Sequence, residues 1–163
     1  MRILGIDPGL QITGYGVIAV SAGRREPELI EAGVIRTQTR DGIAARLSKV
    51  YRALSGAVKD LKPDVIVIER LYAHYKHPAT AILMGHARGV VCLLSGMHGV
   101  PLASVASTHV KKSVTGHGHA GKSQIQRMVQ HVLGLKEAPS PPDVADALAI
   151  AIAYASHLKG KRS

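Results

Sequence analysis

Short apolar runs alternate along the chain with longer stretches of helical spacing. The short runs are apolar or rich in β-branched residues and are bounded by turn residues such as Pro and Gly. They predict strands at Arg2–Asp7, Thr13–Val20, Leu29–Thr37, Val65–Ile68 and Leu102–Val105. Helices are predicted at Ile43–Leu61, Ala79–Met97, Val110–Val114, Lys122–Leu133 and Pro141–His157. This order predicts an α/β fold, with a mixed five-stranded sheet and helices on both faces.

The same pattern sets expectations for domain organisation and location. We expect one domain over residues 1–157, followed by a basic, disordered tail at 158–163. The apolar helix at Ala79–Met97 is expected to be largely buried. The longest apolar stretch, Ala147 to Ala155, falls short of the roughly 20 residues that cross a bilayer. No signal-peptide pattern opens the chain, so the expected location is the cytoplasm.

Charge adds a candidate partner to this picture. The 163 residues include 21 Lys and Arg against 11 Asp and Glu, which gives a net charge of +10, with nine His besides. Such an excess favours a polyanionic partner, because each phosphate that is neutralised releases condensed counterions. A solvated basic surface is the alternative. The single cysteine, Cys92, excludes an internal disulfide and is expected to pack as a small apolar side chain.

Four of the eleven acidic residues lie in unusual settings. Asp7 and Glu69 each come at the end of an apolar strand, and Asp143 and Asp146 begin a helix otherwise made of Ala, Ile, Leu and Val. A charge beside a buried strand needs compensation. The spacing of Asp143 and Asp146 places both on one helix face, where like charges repel. Because carboxylates without cysteine suit Mg²⁺ or Mn²⁺, the four acids predict a divalent metal site.

Each of these acids also has an ordinary explanation. Asp143 has the spacing of a capping box with Ser140 and could serve the helix N-terminus, whereas Asp146 lies too far into the helix for that role. Asp7 could be a turn residue, and Glu69 could pair with an arginine. Four such acids in one chain favour the catalytic interpretation over four separate coincidences.

Seven segments of the chain carry a recognisable family pattern. They are Gly5–Gly9, Thr13–Gly16, Val67–Glu69, Ala87–Gly89, Val110–Lys111, Gly116–Gln124 and Ala145–Ala151. In this order, and over nearly the whole chain, they resemble RuvC-type Holliday-junction resolvases. The resemblance implies a ribonuclease H-like fold, a homodimer, and Mg²⁺-dependent nicking of two opposed strands of a four-way DNA junction. It also implies work in recombination and repair beside a branch-migration helicase complex.

Individual roles follow from the resemblance. The family's catalytic and metal-binding acids correspond to Asp7, Glu69, Asp143 and Asp146. Some relatives carry His where Asp143 stands. The lysines near the cleaved phosphate match Lys111 and Lys122, and the family's aromatic wedge matches Tyr72. The hydroxyl of Tyr72 leaves open whether it inserts between bases. Two ions per subunit would act on the attacking and leaving oxygens of the phosphodiester.

The segment after Glu69 predicts a DNA-contacting loop. Two tyrosines lie among basic residues there, and such a loop combines phosphate contacts with base stacking, worth ~1–3 kcal/mol per base. The predicted contacts are Arg70, Tyr72, His74, Tyr75 and Lys76. A mobile loop whose tyrosines pack on the domain is the alternative.

A second phosphate-binding pattern occurs at Gly116–Ser123, which fits G-x-x-x-x-G-K-S. A nucleotide-binding loop of this kind follows a buried strand, whereas the preceding Val110–Thr115 contains paired lysines. Backbone contact with a DNA phosphate is therefore favoured over nucleotide binding.

Two other classes of protein are alternatives to a resolvase. Actin-like ATPases open with a similar strand and Asp-x-Gly turn, but they need a second, similar domain, for which 163 residues leave no room. A non-catalytic binder of branched DNA would have no use for acids that repel phosphate.

Two symmetric nicks call for a twofold dimer. The apolar helix Ala79–Met97, with its small residues, is the candidate interface. Burial within one subunit is the alternative. Arg88 is a lone arginine in this apolar helix and needs a partner. The identity of that partner would help to decide between the dimer interface and burial within one subunit.

Overall fold

The central strand of the sheet is β1 (Arg2–Asp7), in which Ile3, Leu4 and Ile6 are fully buried. The computed structural model describes residues 1–24, 26–70 and 78–160. The other elements are β2 (Ile12–Ala19), β3 (Glu28–Arg36), α1 (Ile43–Leu61), β4 (Val65–Glu69), α2 (Pro78–His98), β5 (Leu102–Val105), α3 (Ser107–Thr115), α4 (Lys122–Val132) and α5 (Pro142–Gly160). The predicted α/β class is confirmed.

The five strands form one mixed sheet in the order β3-β2-β1-β4-β5. Strand β2 is antiparallel to β1 and β3, whereas β4 is parallel to β1 and β5. Parallel pairing places the carboxyl ends of β1, β4 and β5 at one edge, which we call the carboxyl edge. Antiparallel pairing brings the start of β2 and the end of β3 to the same edge. Asp7 and Glu69 therefore lie at one edge of the sheet.

Alternate strand residues feed two apolar cores on opposite faces of the sheet. On one face Ile3 and Val67 pack with residues of α3, α4 and α5. On the other face Leu4 and Ile66 pack with residues of α1 and α2. The predicted helices on both faces are confirmed.

Helix α5 approaches β1 and β2 closely because glycines on the strands face small residues and backbone on the helix. A Cβ at Gly5 would lie 2.1 Å from the carbonyl oxygen of Ala147, and one at Gly14 would lie 2.0 Å from that of Asp143. Only glycine fits at these two positions without movement of the helix. This contact fixes the first turns of α5 beside the end of β1, where Asp7 and Gly14 are paired.

Helix α2 departs from the prediction of a largely buried helix. Its inner face is buried at Ala87, Val91 and Leu94. Its outer face carries large apolar side chains that are 42–67% exposed: Ile82, Leu83, Leu93 and Met97. Cys92 is exposed as well, so its predicted packing is wrong. The sequence pattern misled because α2 is apolar on both faces and only one of them contacts the domain.

Two further differences concern the ends and lengths of helices. In the described part of the chain, Ala79–His98 is long and apolar enough to cross a membrane by length and composition alone, although no uninterrupted apolar run of that length occurs in it. Helix α5 continues to Gly160, so residues 158–160 are helical where a disordered tail was predicted. Residues 161–163 lie outside the described residues.

Candidate active site

Three of the four predicted acids line one cavity at the carboxyl edge. Asp7 ends β1 and Glu69 ends β4, and these strands are direct neighbours, with Ile6 opposite Ile68. Asp146 reaches the same cavity from α5. The cavity has a volume of about 360 Å³, and its polar lining also includes Ser107, Lys111 and Lys122. The topology thus unites side chains from opposite ends of the chain.

The fourth acid, Asp143, lies beside this cavity rather than in its lining. It is half-buried in the first turn of α5, one turn before Asp146. Its charge raises the pKa of both Asp7 and Asp146. The four carboxylates therefore form one electrostatic group, which we call the acidic cluster: Asp7, Glu69, Asp143 and Asp146.

Asp7 carries the largest perturbation in the acidic cluster. Burial raises its pKa from 3.8 to about 7, and the charges of Asp146, Asp143 and Glu69 add to the effect, while Lys122 opposes it. Burial also raises the pKa of Asp146, and the favourable charge of Lys122 does not offset that burial. A carboxylate held among other carboxylates in a partly dry site needs added positive charge to stay ionised at neutral pH.

The pKa of Asp7 predicts how stability depends on pH in divalent-free buffer. Because the folded pKa lies above the unfolded value, ionising Asp7 disfavours the folded state. The free energy of unfolding should fall as pH rises from about 4 to 7, by at most ~4 kcal/mol for a shift of about three units. Urea denaturation of the wild type and Asp7→Asn at pH 4.5 and 7.5 measures this. An equal pH dependence in the two proteins would contradict the assignment.

Two lysines bring positive charge to the cavity. Lys111 comes from α3, and Lys122 is the first residue of α4. The Lys122 Nζ lies 4.0 Å from Asp146 Oδ2, and the Lys122 side chain is 80% exposed. An exposed ion pair at this distance is weak. Lys122 is therefore free to turn toward an anionic ligand without losing a strong interaction.

The chemistry of the acidic cluster fits a hard divalent cation. All four donors are carboxylates, and Asp7 is partly buried among three other negative charges. Over residues 1–24, 26–70 and 78–160, no group of three or more His, Cys, Asp or Glu side chains is arranged so that it could hold a metal ion. Three of the four side chains line one cavity, and the charges of the four carboxylates repel one another. A cation would reduce that repulsion.

Arg88 has polar partners, as an arginine in an apolar helix requires. Its guanidinium donates hydrogen bonds to the backbone carbonyl of Glu69 and, at 3.5 Å, to the hydroxyl of Ser104. It thus ties α2 to the ends of β4 and β5. In the described part of the chain, no ion pair involves the Glu69 carboxylate. The alternative that Glu69 is neutralised by an arginine is not supported.

The structure also locates the other predicted segments. Arg70 is exposed directly after β4, and its backbone N–H donates to Val105. The remaining predicted loop contacts, Tyr72, His74, Tyr75 and Lys76, lie outside the described residues. The G-x-x-x-x-G-K-S segment follows helix α3, which ends at Thr115 and is capped by Gly116. Because a helix rather than a buried strand precedes it, the nucleotide-binding alternative is not supported.

Comparison with known proteins identifies the family of the chain. The family model described as crossover junction endodeoxyribonuclease RuvC matches residues 3–154. The chain belongs to the RuvC family. A RuvC from Rhodopirellula baltica is 48% identical over 152 residues, which cover 92% of this chain and 83% of the relative. A RuvC from Desulforamulus reducens is 44% identical over 155 residues, which cover 95% and 93%.

Solved structures match the fold as well. Thermus thermophilus RuvC in complex with a Holliday junction substrate has a TM-score of 0.92 and 32% identity, and covers 99% of this chain and 96% of that chain. This match confirms the ribonuclease H-like fold. The yeast mitochondrial Holliday junction resolvase Ydc2, at TM-score 0.67 and 16% identity, shares the fold alone. RuvC membership over nearly the whole chain decides against the actin-like ATPase and the non-catalytic binder.

Two features beside the RuvC site were not predicted from the sequence: the place of Ser107 in the cavity lining and the contact of Arg88 with Glu69. Ser107 lines the cavity two residues after β5 ends at the carboxyl edge, and the position of that strand end could have indicated it. Arg88 acts on the backbone of Glu69 from the opposite face of the sheet. No sequence pattern reveals a partner that is a main-chain carbonyl.

Replacing Arg88 with Ala should slow junction cutting about 10-fold at saturating DNA. The variant leaves the Glu69 carbonyl without its donor and lets the end of β4 shift. Junction affinity should change less than about 2-fold, and added guanidinium should restore part of the rate. Single-turnover cutting of a labelled junction measures the effect, with exposed Arg52→Ala on α1 as control. A wild-type rate in Arg88→Ala would show that the hydrogen bond does not position Glu69.

Proposed function

We propose that the chain is a metal-dependent endonuclease that resolves four-way (Holliday) DNA junctions by paired symmetric nicks. The observation that carries the proposal is one cavity in which Asp7, Glu69 and Asp146 face Lys111 and Lys122. Acids alone would repel DNA, and lysines alone would only bind it. Partly buried carboxylates that can hold metal ions, beside lysines that can hold a phosphate, suit the hydrolysis of a phosphodiester.

The acidic cluster would hold the metal. We propose two Mg²⁺ ions per subunit, with Mn²⁺ able to substitute, because the four donors are hard oxygen ligands. When bound, the ions would generate the water nucleophile and stabilise the charge that develops on the phosphodiester. Asp7 lies at the centre of the cluster, where a bound cation would keep its carboxylate ionised at neutral pH. Glu69, Asp143 and Asp146 would orient the ions from β4 and α5.

The lysines would hold the scissile phosphate. Lys122 is exposed and only weakly paired with Asp146, so it can neutralise an incoming phosphate oxygen. Lys111 lines the same cavity from the neighbouring helix and adds a second positive charge. Because both side chains are lysines, they attract phosphate as point charges and read no base sequence.

A branched DNA substrate is supported by the T. thermophilus RuvC structure, which holds a Holliday junction substrate. In this chain, Arg70, Tyr72, His74, Tyr75 and Lys76 are proposed to contact the DNA beside the cavity. Arg70 is exposed at the carboxyl edge, immediately after Glu69. Stacking on the two tyrosines would suit the unpaired bases of an opened junction.

A homodimer is proposed because two opposed strands must be cut together. The exposed apolar residues of α2 supply a surface for it: Ile82, Leu93 and Met97 fall on one helical stripe, with Gly89 between them. Such a patch is rare on a monomer. The same helix carries Arg88, which contacts the backbone of Glu69, so the proposed interface adjoins the site.

Replacing Leu93 with Glu should weaken dimerisation at least about 100-fold, because a carboxylate would be buried in an apolar contact. Sedimentation equilibrium measures the change. Paired symmetric nicks should become uncoupled single nicks. The matched control is Ile43→Glu, which makes the same kind of change at another exposed apolar residue, at the start of α1. A dimeric Leu93→Glu would place the interface elsewhere.

The cellular setting is proposed from the same family relationship. The enzyme would act in the cytoplasm, in homologous recombination and DNA repair, with a branch-migration helicase complex as partner. One nuclease domain, predicted at residues 1–157, is sufficient for the chemistry.

A cutting assay tests the proposed function directly. A synthetic four-way junction with each strand labelled in turn is compared with a linear duplex of the same sequence, with and without Mg²⁺. The proposal expects nicks at symmetric positions in two opposed strands, only with the divalent ion and only on the junction. Equal cutting of the linear duplex would contradict the proposed selectivity for junctions. Cutting in EDTA would contradict the proposed requirement for a metal ion.

A further inference from the structure

A second polar groove lies at the carboxyl edge, away from the acidic cluster. Ile12 at the start of β2 is paired with Arg36 at the end of β3, and both lie at the edge where Asp7 ends β1. The groove has a volume of about 450 Å³, and its polar lining is Gln11, Arg36, Thr37, Gln38, Thr39 and Arg40. We call it the Arg36–Arg40 groove. None of these residues takes part in the site described above.

Hydrogen bonds hold the walls of the groove together. The backbone N–H of Thr37 donates to the carbonyl of Gln11 at 3.0 Å, and the Thr37 hydroxyl donates to the carbonyl of Leu10. Arg46 on α1 donates from Nε to the Thr37 hydroxyl at 2.9 Å. The turn that follows Asp7 is thus tied to the end of β3, so the groove is formed before any ligand arrives.

The charge of the groove is positive and uncompensated by ion pairs. Arg36 and Arg40 are exposed, and Arg46, which donates to the Thr37 hydroxyl, is half-buried. Within residues 1–24, 26–70 and 78–160, none of the three is in an ion pair. The nearest acid along the chain, exposed Asp41, supplies one negative charge against three positive ones. Arginines, carboxamides and hydroxyls are the side chains that contact DNA phosphates, and they carry no base preference there.

We propose that the Arg36–Arg40 groove binds the phosphate backbone of a DNA arm where it leaves the acidic cluster. Strand β3 is two strand spacings from β1, roughly 10 Å. That distance corresponds to about three nucleotides along one strand of a duplex. A strand held beside Asp7, at the end of β1, would therefore reach the groove within the same arm. The inference rests on the proposed function, because it takes the cavity as the place where DNA is cut.

The test is the salt dependence of junction binding, measured by fluorescence anisotropy in EDTA so that no cutting occurs. The double variant Arg36→Gln/Arg40→Gln should weaken binding about 10-fold or more and lower the slope of log K against log salt by about 2. The variant Arg36→Lys/Arg40→Lys should restore most of the slope. Melting temperature checks that each variant is folded.

The matched control removes two positive charges at the opposite edge of the sheet. Arg24, paired there with Glu28, and Lys59, exposed near the end of α1, are both replaced by Gln. A slope unchanged from wild type in the control, but lowered in the groove variant, supports the proposal. Equal losses of affinity and slope in both variants would attribute the effect to net charge and contradict the proposal. No loss in the groove variant would overturn the proposal as well. Binding in EDTA is independent of cutting, so the result stands apart from the success of the proposed reaction.

Discussion

Replacing Asp7 with Asn is expected to lower junction cutting by at least about 10³-fold while leaving junction affinity within about 3-fold of wild type. A loss of this size corresponds to about 4 kcal/mol of transition-state stabilisation. The reason is the position of Asp7: it is the partly buried carboxylate on which the other three acids act. Asparagine keeps the shape but removes the charge that would hold a divalent ion. Single-turnover cutting in Mg²⁺ and anisotropy in EDTA measure the two quantities.

The control for this variant is Asp60→Asn, the same chemical change at an exposed residue of α1. It should cut at the wild-type rate. In divalent-free buffer at neutral pH, Asp7→Asn should also be more stable than wild type, because it removes the raised-pKa carboxylate. If Asp7→Asn lost binding and stability together, Asp7 would be a structural residue. If Asp7→Asn cut near the wild-type rate, the catalytic assignment of Asp7 would be wrong.

The sheet, and the placement of Asp7 and Glu69 at neighbouring strand ends, could be predicted from the sequence because the relevant signals are local. Asp7 and Glu69 follow directly on β-branched or aliphatic runs, and parallel pairing then forces their ends together. Asp143 and Asp146 are local in the same sense, since their spacing places them on one face of α5. The two pairs were joined by the unusual setting of all four acids and by the family resemblance, because no local pattern predicts which helix crosses which strand end.

The features that escaped prediction depend on contacts between distant segments. The outer face of α2 is as apolar as its inner face, so composition predicted burial where Leu93 and Met97 are exposed. The partner of Arg88 is a main-chain carbonyl, which has no sequence signature. The Arg36–Arg40 groove forms from two turns that meet only because β2 pairs with β3. The position of Asp143 beside the cavity depends on how closely α5 approaches β2.

The close approach of helix α5 to strand β2 is the basis of the second large expected effect, on both stability and cutting rate. Gly14→Ala should destabilise the protein by about 3 kcal/mol, the upper end of the usual range for overpacking, and slow cutting about 100-fold. The added Cβ would lie 2.0 Å from the carbonyl oxygen of Asp143, against about 3.4 Å for an ordinary contact, so α5 must move by more than 1 Å. Such a shift displaces Asp143 and Asp146 from Asp7. Backbone strain is not the cause, because Gly14 lies in an extended strand that alanine also adopts.

Gly56→Ala is the matched control, because a Cβ there meets nothing within 4 Å on helix α1. It should stabilise the protein by roughly 0.5–1 kcal/mol, as alanine is the better helix residue, and leave cutting unchanged. Urea denaturation and single-turnover cutting compare the two variants. A Gly14→Ala protein as stable as wild type, with Asp143 and Asp146 still active, would mean that the distance between α5 and β2 does not set the geometry of the acidic cluster.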